Sequence, residues 1–246
     1  MSSSRVAIVT GAGSGIGAAA ARMLAASGYA LALSGRSVGP LRALAEAVAG
    51  GDGPEPLVIQ ADMGIEMDVH ALVDTTLDRH GRIDVLVNNA GVGWNRPVKA
   101  HDPAMIRRTM EVNALGPLLA VHRAWPAFEK QRSGCVVNVS SMATFEPFPG
   151  FFAYACSKGA IDLLARVVSI EGRSIGVRGF SVAPGAVETP LLRRSFDERA
   201  VPAHKCLTPD RVGQLILECI EGKHDAENGR VLGIWIEGGE VVTRVR

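Results

Sequence analysis

The chain has 246 residues, with 26 lysines and arginines against 25 aspartates and glutamates, so its formal charge is +1. A hydrophobic fraction of 47% with 21% charged residues is typical of a globular protein and excludes a disordered one. Because the charge is balanced and no basic run occurs, neither nucleic acid nor an anionic membrane surface finds an electrostatic binding site. We therefore expect no nucleic-acid partner and no membrane partner.

The cysteines and histidines are too scattered to form a metal-binding pattern or a disulfide framework. An apolar run over residues 6–21 is interrupted by four glycines and ended by Arg22, so it is too short for a membrane span and unlike a signal peptide. These features predict a cytoplasmic protein without bound metal. The cysteines concerned are Cys135, Cys156, Cys206 and Cys219.

Strand-like and helix-like stretches alternate along the first half of the chain. Short apolar runs predict strands over residues 6–10, 30–34, 57–61 and 83–87. Helix-favouring stretches lie between them, over residues 16–27, 41–49 and 67–80. Residues 50–56 are rich in glycine and proline and predict a loop.

The alternation continues through the second half. Residues 103–131 predict a long helix interrupted near Gly116 and Pro117, because proline removes a backbone donor. Strands are predicted over residues 135–139, 177–183 and 230–236, and helices over residues 152–172 and 209–221. The pattern predicts one α/β domain over residues 1–246. Its expected core is a doubly wound, Rossmann-type parallel sheet of about seven strands with helices on both faces, and such sheets bind ligands beyond the carboxyl ends of their strands.

A glycine-rich loop follows the first predicted strand and opens the first helix. Its spacing is T-G-x-x-x-G-x-G, from Thr10 to Gly17, and Ile16 holds the place of the last glycine in G-x-G-x-x-G. Glycines let the backbone approach a pyrophosphate, and the helix N-terminus supplies unpaired N–H groups. A plain glycine-rich turn is the alternative. The residues predicted to contact the cofactor here are Gly11, Ser14, Gly15, Ile16 and Gly17.

The end of the second predicted strand indicates which dinucleotide is bound. An NAD site usually carries a carboxylate there for the ribose 2′-hydroxyl, whereas residues 33–37 contain Arg36 and no acidic residue. A guanidinium suits a 2′-phosphate, so NADP(H) is favoured over NAD(H). A solvated arginine in a loop is the alternative, and NAD(H) stays possible.

Tyr154 and Lys158 are four positions apart on a predicted helix, so they share one face. An ammonium beside a phenol lowers the phenol pKa from its usual value of about 10 towards the range that acid–base catalysis needs. Such a pair is also common on helix surfaces. Ser141, 13 residues before Tyr154, ends a predicted strand, and Asn113 lies in the long helix. The carboxyl ends of parallel strands meet at one edge, which would bring these groups to the glycine-rich loop.

The sequence resembles the short-chain dehydrogenase/reductase family from Arg5 to about Gly239. The resemblance rests on the order and spacing of several short segments rather than on any one of them. These segments are residues 10–17, Asp62, residues 88–91, Asn113, residues 139–141, residues 154–158 and residues 184–185.

The resemblance implies a catalytic role for four residues. Tyr154 would be the general acid in reduction, or the base in oxidation, and Lys158 would lower its pKa and hold the nicotinamide ribose. Ser141 would bind the substrate oxygen, so that Ser141 and Tyr154 are the substrate contacts. Asn113 would keep a water in a proton relay. Two alternatives stay open, namely that Ser140 is the functional serine and that Asn113 only satisfies buried backbone groups.

The resemblance also implies cofactor contacts outside the glycine-rich loop. Asp62 would contact the adenine amino group with Met63 beside it, unless Asp62 only caps the following loop. Two further groups are implied along the adenosine ribose and over the nicotinamide. They are Asn89, Ala90 and Gly91 for the ribose, and Pro184, Gly185, Val187 and Thr189 for the nicotinamide.

The sequence leaves the substrate open. Aromatic residues crowd the stretch between Ser141 and Tyr154, where they line a pocket or belong to the core or a subunit contact. Residues 186–208 match the position of the family's mobile substrate loop, and Arg193 and Arg194 in it suit an anionic substrate or plain solvation. We expect an NADP(H)-dependent oxidoreductase acting on a carbonyl or alcohol, as a homotetramer or dimer. The alternatives are an NAD(H)-preferring alcohol dehydrogenase and a non-catalytic cofactor-binding regulator. The aromatic residues are Phe145, Phe148, Phe151 and Phe152, with Met142 and Trp94 nearby.

Overall fold

A computed structural model describes residues 4–49 and 54–246. The strands are β1 Val6–Thr10, β2 Ala30–Gly35, β3 Leu57–Gln60, β4 Val85–Asn88, β5 Gly134–Val139, β6 Val177–Pro184, β7 Val231–Glu237 and β8 Glu240–Val245. The helices are α1 Gly15–Ala26, α2 Val38–Val48, α3 Glu66–His80, α4 Pro103–Met110, α5 Gly116–Gln131, α6 Phe152–Glu171, α7 Pro190–Ser195 and α8 Pro209–Ile220. Of the predicted loop at 50–56, residues 50–53 lie outside the described residues.

All eight strands form one sheet in the order β3-β2-β1-β4-β5-β6-β7-β8. Strands β1 to β7 pair in parallel, which confirms the doubly wound sheet, and β8 runs antiparallel to β7. The predicted count of about seven strands misses β8. Gly238 and Gly239 both have positive φ (61° and 88°) and make the tight hairpin turn that returns the chain along β7.

The sheet separates two apolar cores, because successive residues of a strand face opposite sides. In β1, Ala7 and Val9 belong to the core beneath α1, α2 and α8, whereas Ile8 faces the core beneath α3, α5 and α6. All five residues of β1 are buried. This placement explains why the sequence of β1 is a continuous apolar run instead of an alternating one.

The predicted long helix is broken by a π-helical turn at Glu111–Leu115, between α4 and α5. The prediction placed the break near Gly116 and Pro117, at the start of α5. Gly116 is required by packing, since a Cβ there would lie 2.2 Å from the Met63 carbonyl oxygen. Asp102 caps α4 by accepting a hydrogen bond from the Met105 amide at 2.8 Å.

Backbone hydrogen bonds join the two ends of the segment 186–208. The Glu188 amide donates to the Leu207 carbonyl at 2.9 Å, and the Leu207 amide donates to the Ala186 carbonyl at 2.8 Å. Within the segment, the Arg193 guanidinium forms a salt bridge with Glu188 and donates to the Val201 carbonyl at 2.8 Å. Arg193 therefore joins two parts of this segment by noncovalent contacts. The mobility of the segment stays a prediction. Within the described part of the chain, no helix has the length and apolar character needed to cross a membrane.

Candidate active site

A cavity of about 780 Å³ lies at the carboxyl ends of the parallel strands. The loops after β1 to β6 all contribute to its lining, as expected where parallel strand ends converge. It extends from Arg36 and Asp62 at one end, here called the adenine end, past Tyr154 to Phe196 at the other, the substrate end. All predicted site residues line this cavity except Gly17 and Asn113.

The glycine-rich loop is held against the end of β4 by Asn89. The Asn89 side-chain amide donates to the carbonyls of Thr10 at 2.8 Å and Gly11 at 3.1 Å. A Cβ at Gly17 would lie 2.4 Å from Asn89 Nδ2, and one at Gly11 would lie 2.9 Å from the Ala90 Cα. Gly17 therefore makes room for Asn89, and its predicted contact with the cofactor stays a prediction.

The helix start behind this loop fits a pyrophosphate. Ser14 stands at the N-cap of α1, and its side chain makes no capping hydrogen bond among the described residues. The first-turn amides of a helix have no intrahelical partners, and they carry a partial positive charge. Gly11 and Gly15 adopt positive φ angles of 65° and 54°, which glycine accepts without strain. A glycine-rich loop beside the unpaired amides of a helix start suits the close approach of phosphate groups.

Thr10 is a positioning residue that the sequence reasoning missed. Its hydroxyl donates to the Val87 carbonyl at 3.2 Å and accepts from the amides of Asn89 at 3.0 Å and Ala90 at 3.1 Å. The end of β1 is thereby fastened to the end of β4. Its place as the last residue of a buried strand, before the first glycine, was the available signal.

At the adenine end, Asp62 is paired with Arg108 from α4. The guanidinium donates to Asp62 Oδ1 at 2.6 Å and also contacts Oδ2, and the Gly64 amide donates to Oδ1 at 2.9 Å. Burial acts to raise the pKa of Asp62, but the hydrogen bonds from Arg108 and Gly64 outweigh it, so the pKa is lowered. Arg108 was not predicted, and no local pattern links it to a carboxylate 46 positions away.

Arg36 lies exposed at the rim of the adenine end, directly after β2. Its backbone carbonyl accepts a hydrogen bond from Gln60 Nε2 at 2.9 Å, which fixes the loop beside β3. A separate shallow pocket at this rim is lined by both residues together with Asp62 and Asp68. Arg36 therefore lies at the adenine end of the cavity, and its contact with a 2′-phosphate stays a prediction.

Lys158 is buried, with 3% of its surface exposed, and its Nζ donates to the Val139 carbonyl at 2.6 Å. Burial lowers its pKa to about 8, and the carboxylate of Asp162, one turn further along α6, acts in the opposite direction. Gly91 is close as well, since a Cβ there would lie 3.6 Å from Nζ. The ammonium therefore lies close both to the end of β5 and to the loop after β4.

The Tyr154 ring packs on Gly93, where a Cβ would lie 2.9 Å from a ring carbon, and its centroid is 5.6 Å from Lys158 Nζ. Burial raises the pKa of Tyr154, and a hydrogen bond with Ser141 acts to lower it. Burial has the larger effect, so the pKa is raised, and the lowering of this pKa by Lys158 stays a prediction. The phenol is accordingly neutral at pH 7 and able to donate a proton.

Of the two serines after β5, Ser141 is the one that interacts with Tyr154. Ser141 Oγ also accepts a hydrogen bond from the Ala143 amide at 3.2 Å. Ser140 is 2% exposed, and its hydroxyl faces Asp162 without completing a hydrogen bond. Of these two serines, Ser141 is therefore the one that is partly exposed at the cavity and hydrogen-bonded with Tyr154.

The Asn113 side chain joins the loop after β4 to α6. Its Oδ1 accepts from the Val92 amide at 2.8 Å, and Nδ2 donates to the Val92 carbonyl at 2.8 Å and to Ser157 Oγ at 3.0 Å. Both N–H donors are therefore occupied. This matches the alternative in which Asn113 satisfies buried backbone groups, and its role in holding a water stays a prediction.

The aromatic residues after Ser141 divide into two sets. Phe148 and Phe151 line the cavity together with Phe196 from the end of α7, which was not singled out in the sequence. Phe152 is exposed and meets His101 edge-on, with ring centroids 5.7 Å apart. Phe145 lies under the Arg246 guanidinium at 5.5 Å and does not line the cavity.

The chain is similar to proteins of known family. The model of the short chain dehydrogenase family matches residues 5–200. The 2-(R)-hydroxypropyl-CoM dehydrogenase of Xanthobacter autotrophicus is 36% identical over 203 residues, which make up 79% of each chain.

Two solved structures share the fold along most of their length. The 3-ketoacyl-(acyl-carrier-protein) reductase from Brucella melitensis, complexed with NADH, has a TM-score of 0.86 at 27% identity and covers 93% of this chain and 96% of its own. The alcohol dehydrogenase from the archaeon Thermococcus sibiricus, complexed with 5-hydroxy-NADP, has a TM-score of 0.78 at 31% identity, with 86% and 88% covered.

Fold, cavity and relatives together define the class of protein, an oxidoreductase that uses a nicotinamide dinucleotide. Within that class the chain belongs to the short chain dehydrogenase family. It therefore acts on CH–OH or C=O groups of a small molecule.

Proposed function

We propose that the protein transfers a hydride between NADP(H) and a carbonyl or alcohol substrate, with Tyr154 as the general acid and base. The observation that carries this proposal is the convergence of Tyr154, Ser141 and Lys158 on one cavity whose other end holds Arg36. A non-catalytic regulator would have no need for a phenol, a hydroxyl and a buried ammonium at a single point.

The residues of the cavity fit a dinucleotide. The glycine-rich loop and the start of α1 would hold the pyrophosphate, Arg36 would bind a 2′-phosphate, and Lys158 would reach the nicotinamide ribose. A bound nicotinamide supplies the hydride in reduction or accepts it in oxidation. The protein contributes position, since the glycines leave the backbone bare where phosphates approach.

The protein's own chemistry is proton transfer and stabilisation of charge on the substrate oxygen. A neutral Tyr154 hydroxyl donates its proton to the carbonyl oxygen as negative charge develops there, and Ser141 donates a hydrogen bond to the same oxygen. Protonated Lys158 stabilises the phenolate that is left behind. In oxidation the same groups act in reverse order.

The test of the cofactor assignment is a fluorescence titration with NADPH and with NADH, made on the wild type and on Arg36→Ala. One charge-assisted contact with the 2′-phosphate corresponds to about 10- to 100-fold in NADPH affinity, and NADH should lose little. Arg42→Ala, on the exposed part of α2, is the matched control. Equal losses for both cofactors would remove Arg36 as a phosphate contact.

The second candidate is an NAD(H)-preferring dehydrogenase, which the NADH complex of the Brucella melitensis relative supports. The same titration separates the two, because tighter NADH binding by the wild type would favour this candidate. If neither nucleotide binds, the proposed function fails as a whole.

We also propose that copies of this chain associate through α5 and α6. Leu163, Val167 and Ile170 follow the i, i+4, i+7 spacing on α6, and they are 60%, 40% and 60% exposed. Leu118 on α5 is 46% exposed. Exposed apolar side chains on adjacent helices fit a second copy of the same face, consistent with a homotetramer or dimer.

Sedimentation equilibrium tests this association. Leu163→Glu should shift the chain towards monomer, whereas Met67→Glu, an equally apolar and more exposed position on α3, should not. A wild type that is monomeric at micromolar concentration would contradict the proposal.

A further inference from the structure

The substrate end of the cavity is formed where three separate segments meet. The Arg96 amide donates to the Gly150 carbonyl at 2.9 Å, which joins the loop after β4 to the segment before α6. The Asn95 side chain donates to the Ser195 carbonyl at 3.4 Å, which joins the same loop to the end of α7. The three segments therefore enclose one space beside Tyr154.

Aromatic rings from two of these segments form a continuous surface, here called the aromatic wall and made of Phe148, Phe151, Tyr154 and Phe196. Phe151 is its centre, with centroid distances of 5.0 Å to Phe148, 5.3 Å to Tyr154 and 5.7 Å to Phe196. The Phe196 ring lies nearly parallel to Phe151, at 14°, and the Tyr154 ring meets it edge-on at 77°. All four side chains line the cavity.

Backbone contacts hold Phe151 in this position. Gly150 has a φ of 98°, and a Cβ there would lie 2.0 Å from Asn95 Oδ1. Phe151 itself is 8% exposed and pairs with Arg96 through an isolated β-bridge. Contacts within the protein itself therefore hold the wall in place.

The charges near the wall are directed elsewhere or lie in solvent. Arg193 is held by Glu188 and by the Val201 carbonyl, so it is committed to the fold of its own segment. Glu146 and Arg194 line the cavity but are exposed at its rim. Among the described residues, a substrate body lying against Phe148, Phe151 and Phe196 thus meets rings, and the buried Lys158 ammonium is held by the Val139 carbonyl.

We propose that the substrate is a neutral ketone or aldehyde, or the matching alcohol, whose reacting carbon is attached to an aromatic or alicyclic ring, and that Phe151 and Phe196 select it. The inference rests on the proposed function, since it places the carbonyl oxygen at Tyr154 and Ser141. A ring joined to that carbon lies against faces and edges of the wall, and aromatic contacts favour it over a flexible chain of equal carbon number. A carboxylate there would lose hydration without gaining a buried partner.

The experiment compares three ketones with NADPH as reductant, measured as kcat/KM. Acetophenone and 2-octanone both have eight carbons and differ in shape, and 4-acetylbenzoate adds a carboxylate to the first. Acetophenone should exceed each of the others by about tenfold, the order expected from two aromatic contacts. Equal values, or a preference for 2-octanone or 4-acetylbenzoate, would overturn the proposal.

Two variants identify the wall as the cause. Phe196→Leu keeps an apolar side chain but removes the ring, and it should raise KM for acetophenone about three- to tenfold with 2-octanone little changed. Phe145→Leu is the control, because that ring packs under Arg246 outside the cavity. An unchanged ratio of the two ketones in Phe196→Leu would show that the wall does not select them.

Cofactor titration keeps the two proposals apart. If NADPH binds and none of the three ketones is reduced, the substrate assignment fails while cofactor binding stands. If NADPH does not bind, the proposed function itself fails, and the substrate assignment falls with it.

Discussion

The two ends of the cavity are built in different ways. Towards the adenine end, residues at the ends of the neighbouring strands β1 and β4 are fastened to one another by hydrogen bonds with backbone groups, as Thr10 and Asn89 show. At the substrate end, loops distant in sequence meet through ring contacts such as Phe151 with Phe196. The order of strands in the sheet imposes the first arrangement, whereas side-chain packing decides the second.

The two ends also differ in how far they are expected to resemble the same regions of other proteins. A pyrophosphate is the same in every nicotinamide dinucleotide, so a glycine-rich loop and a helix start suffice to hold it. Substrates vary, and the segments around Phe151 and Phe196 are loops, which accept changes of sequence without disturbing the sheet. The proposed catalytic groups stand between the two ends, directly after β5 and on α6.

The largest effect is expected where the two ends meet. Tyr154→Phe should lower turnover by about 10²- to 10⁴-fold, the usual contribution of a general acid, while NADPH affinity stays nearly unchanged. The chain's other tyrosine supplies the control, since Tyr29 is buried outside the cavity and Tyr29→Phe should retain turnover. Steady-state kinetics and a cofactor titration on both variants make the measurement. Near-full activity of Tyr154→Phe would refute the assigned role.

Gly150→Ala tests whether the substrate end depends on one backbone position. The added Cβ would collide with Asn95, and a φ of 98° is strained for alanine, so we expect about 2 kcal/mol of destabilisation and a higher KM. NADPH affinity should not change. Gly39→Ala on α2 is the control, because nothing lies within 4 Å of its Cβ, so it should not destabilise the fold. Urea unfolding and substrate kinetics give both values, and an unaffected KM would place Phe151 outside substrate binding.

Arg108→Met tests the polar fastening of the adenine end. The folded pKa of Asp62 is lowered, so its pairing stabilises the fold above the ordinary aspartate pKa and loses this effect as pH falls through the lowered value. Both side chains are partly exposed, so we expect a loss of only about 1 kcal/mol at pH 7, shrinking as pH approaches 3. Arg107→Met, at the exposed neighbouring position, is the control. A destabilisation that does not depend on pH would mean that packing, not the ion pair, explains it.

The smallest predicted effect concerns Asp162 and the pH profile of reduction. Burial holds the pKa of Lys158 at about 8, and the Asp162 carboxylate opposes that lowering. Asp162→Asn should therefore lower the Lys158 pKa further, so that the ammonium is lost at lower pH. The alkaline limb of kcat should then move down by less than about one pH unit. Glu171→Gln, exposed on the same helix, should leave the limb in place, and an unmoved limb in Asp162→Asn would separate Asp162 from Lys158.

Local sequence predicted the parts of the molecule that depend on local interactions. Each parallel strand is a short apolar run, and the loop from Thr10 to Gly17 lies at the predicted place after β1. Tyr154 and Lys158 share a helix face because of their spacing alone. These features need no knowledge of which residues meet across the fold.

The remaining features depend on partners far along the chain. Arg108 gains its role from Asp62, 46 positions away, and Phe196 gains its role from Phe151, 45 positions earlier. The π-helical turn between α4 and α5 contains Asn113, whose side chain bonds to Val92 and Ser157. No period or spacing in the sequence predicts these long-range contacts, so they are seen only in the folded chain.

Strand β8 has a consequence for how the molecule behaves among its neighbours in solution. Without it, β7 would end the sheet with a row of open backbone groups beside Ile234, Trp235 and Ile236, a template on which other chains aggregate. Strand β8 covers that row and presents its own edge, where exposed Glu240 and Arg244 put charge on the border. The β7–β8 hairpin thus keeps β7 from pairing with other chains. The ligand cavity lies elsewhere, at the carboxyl ends of the parallel strands.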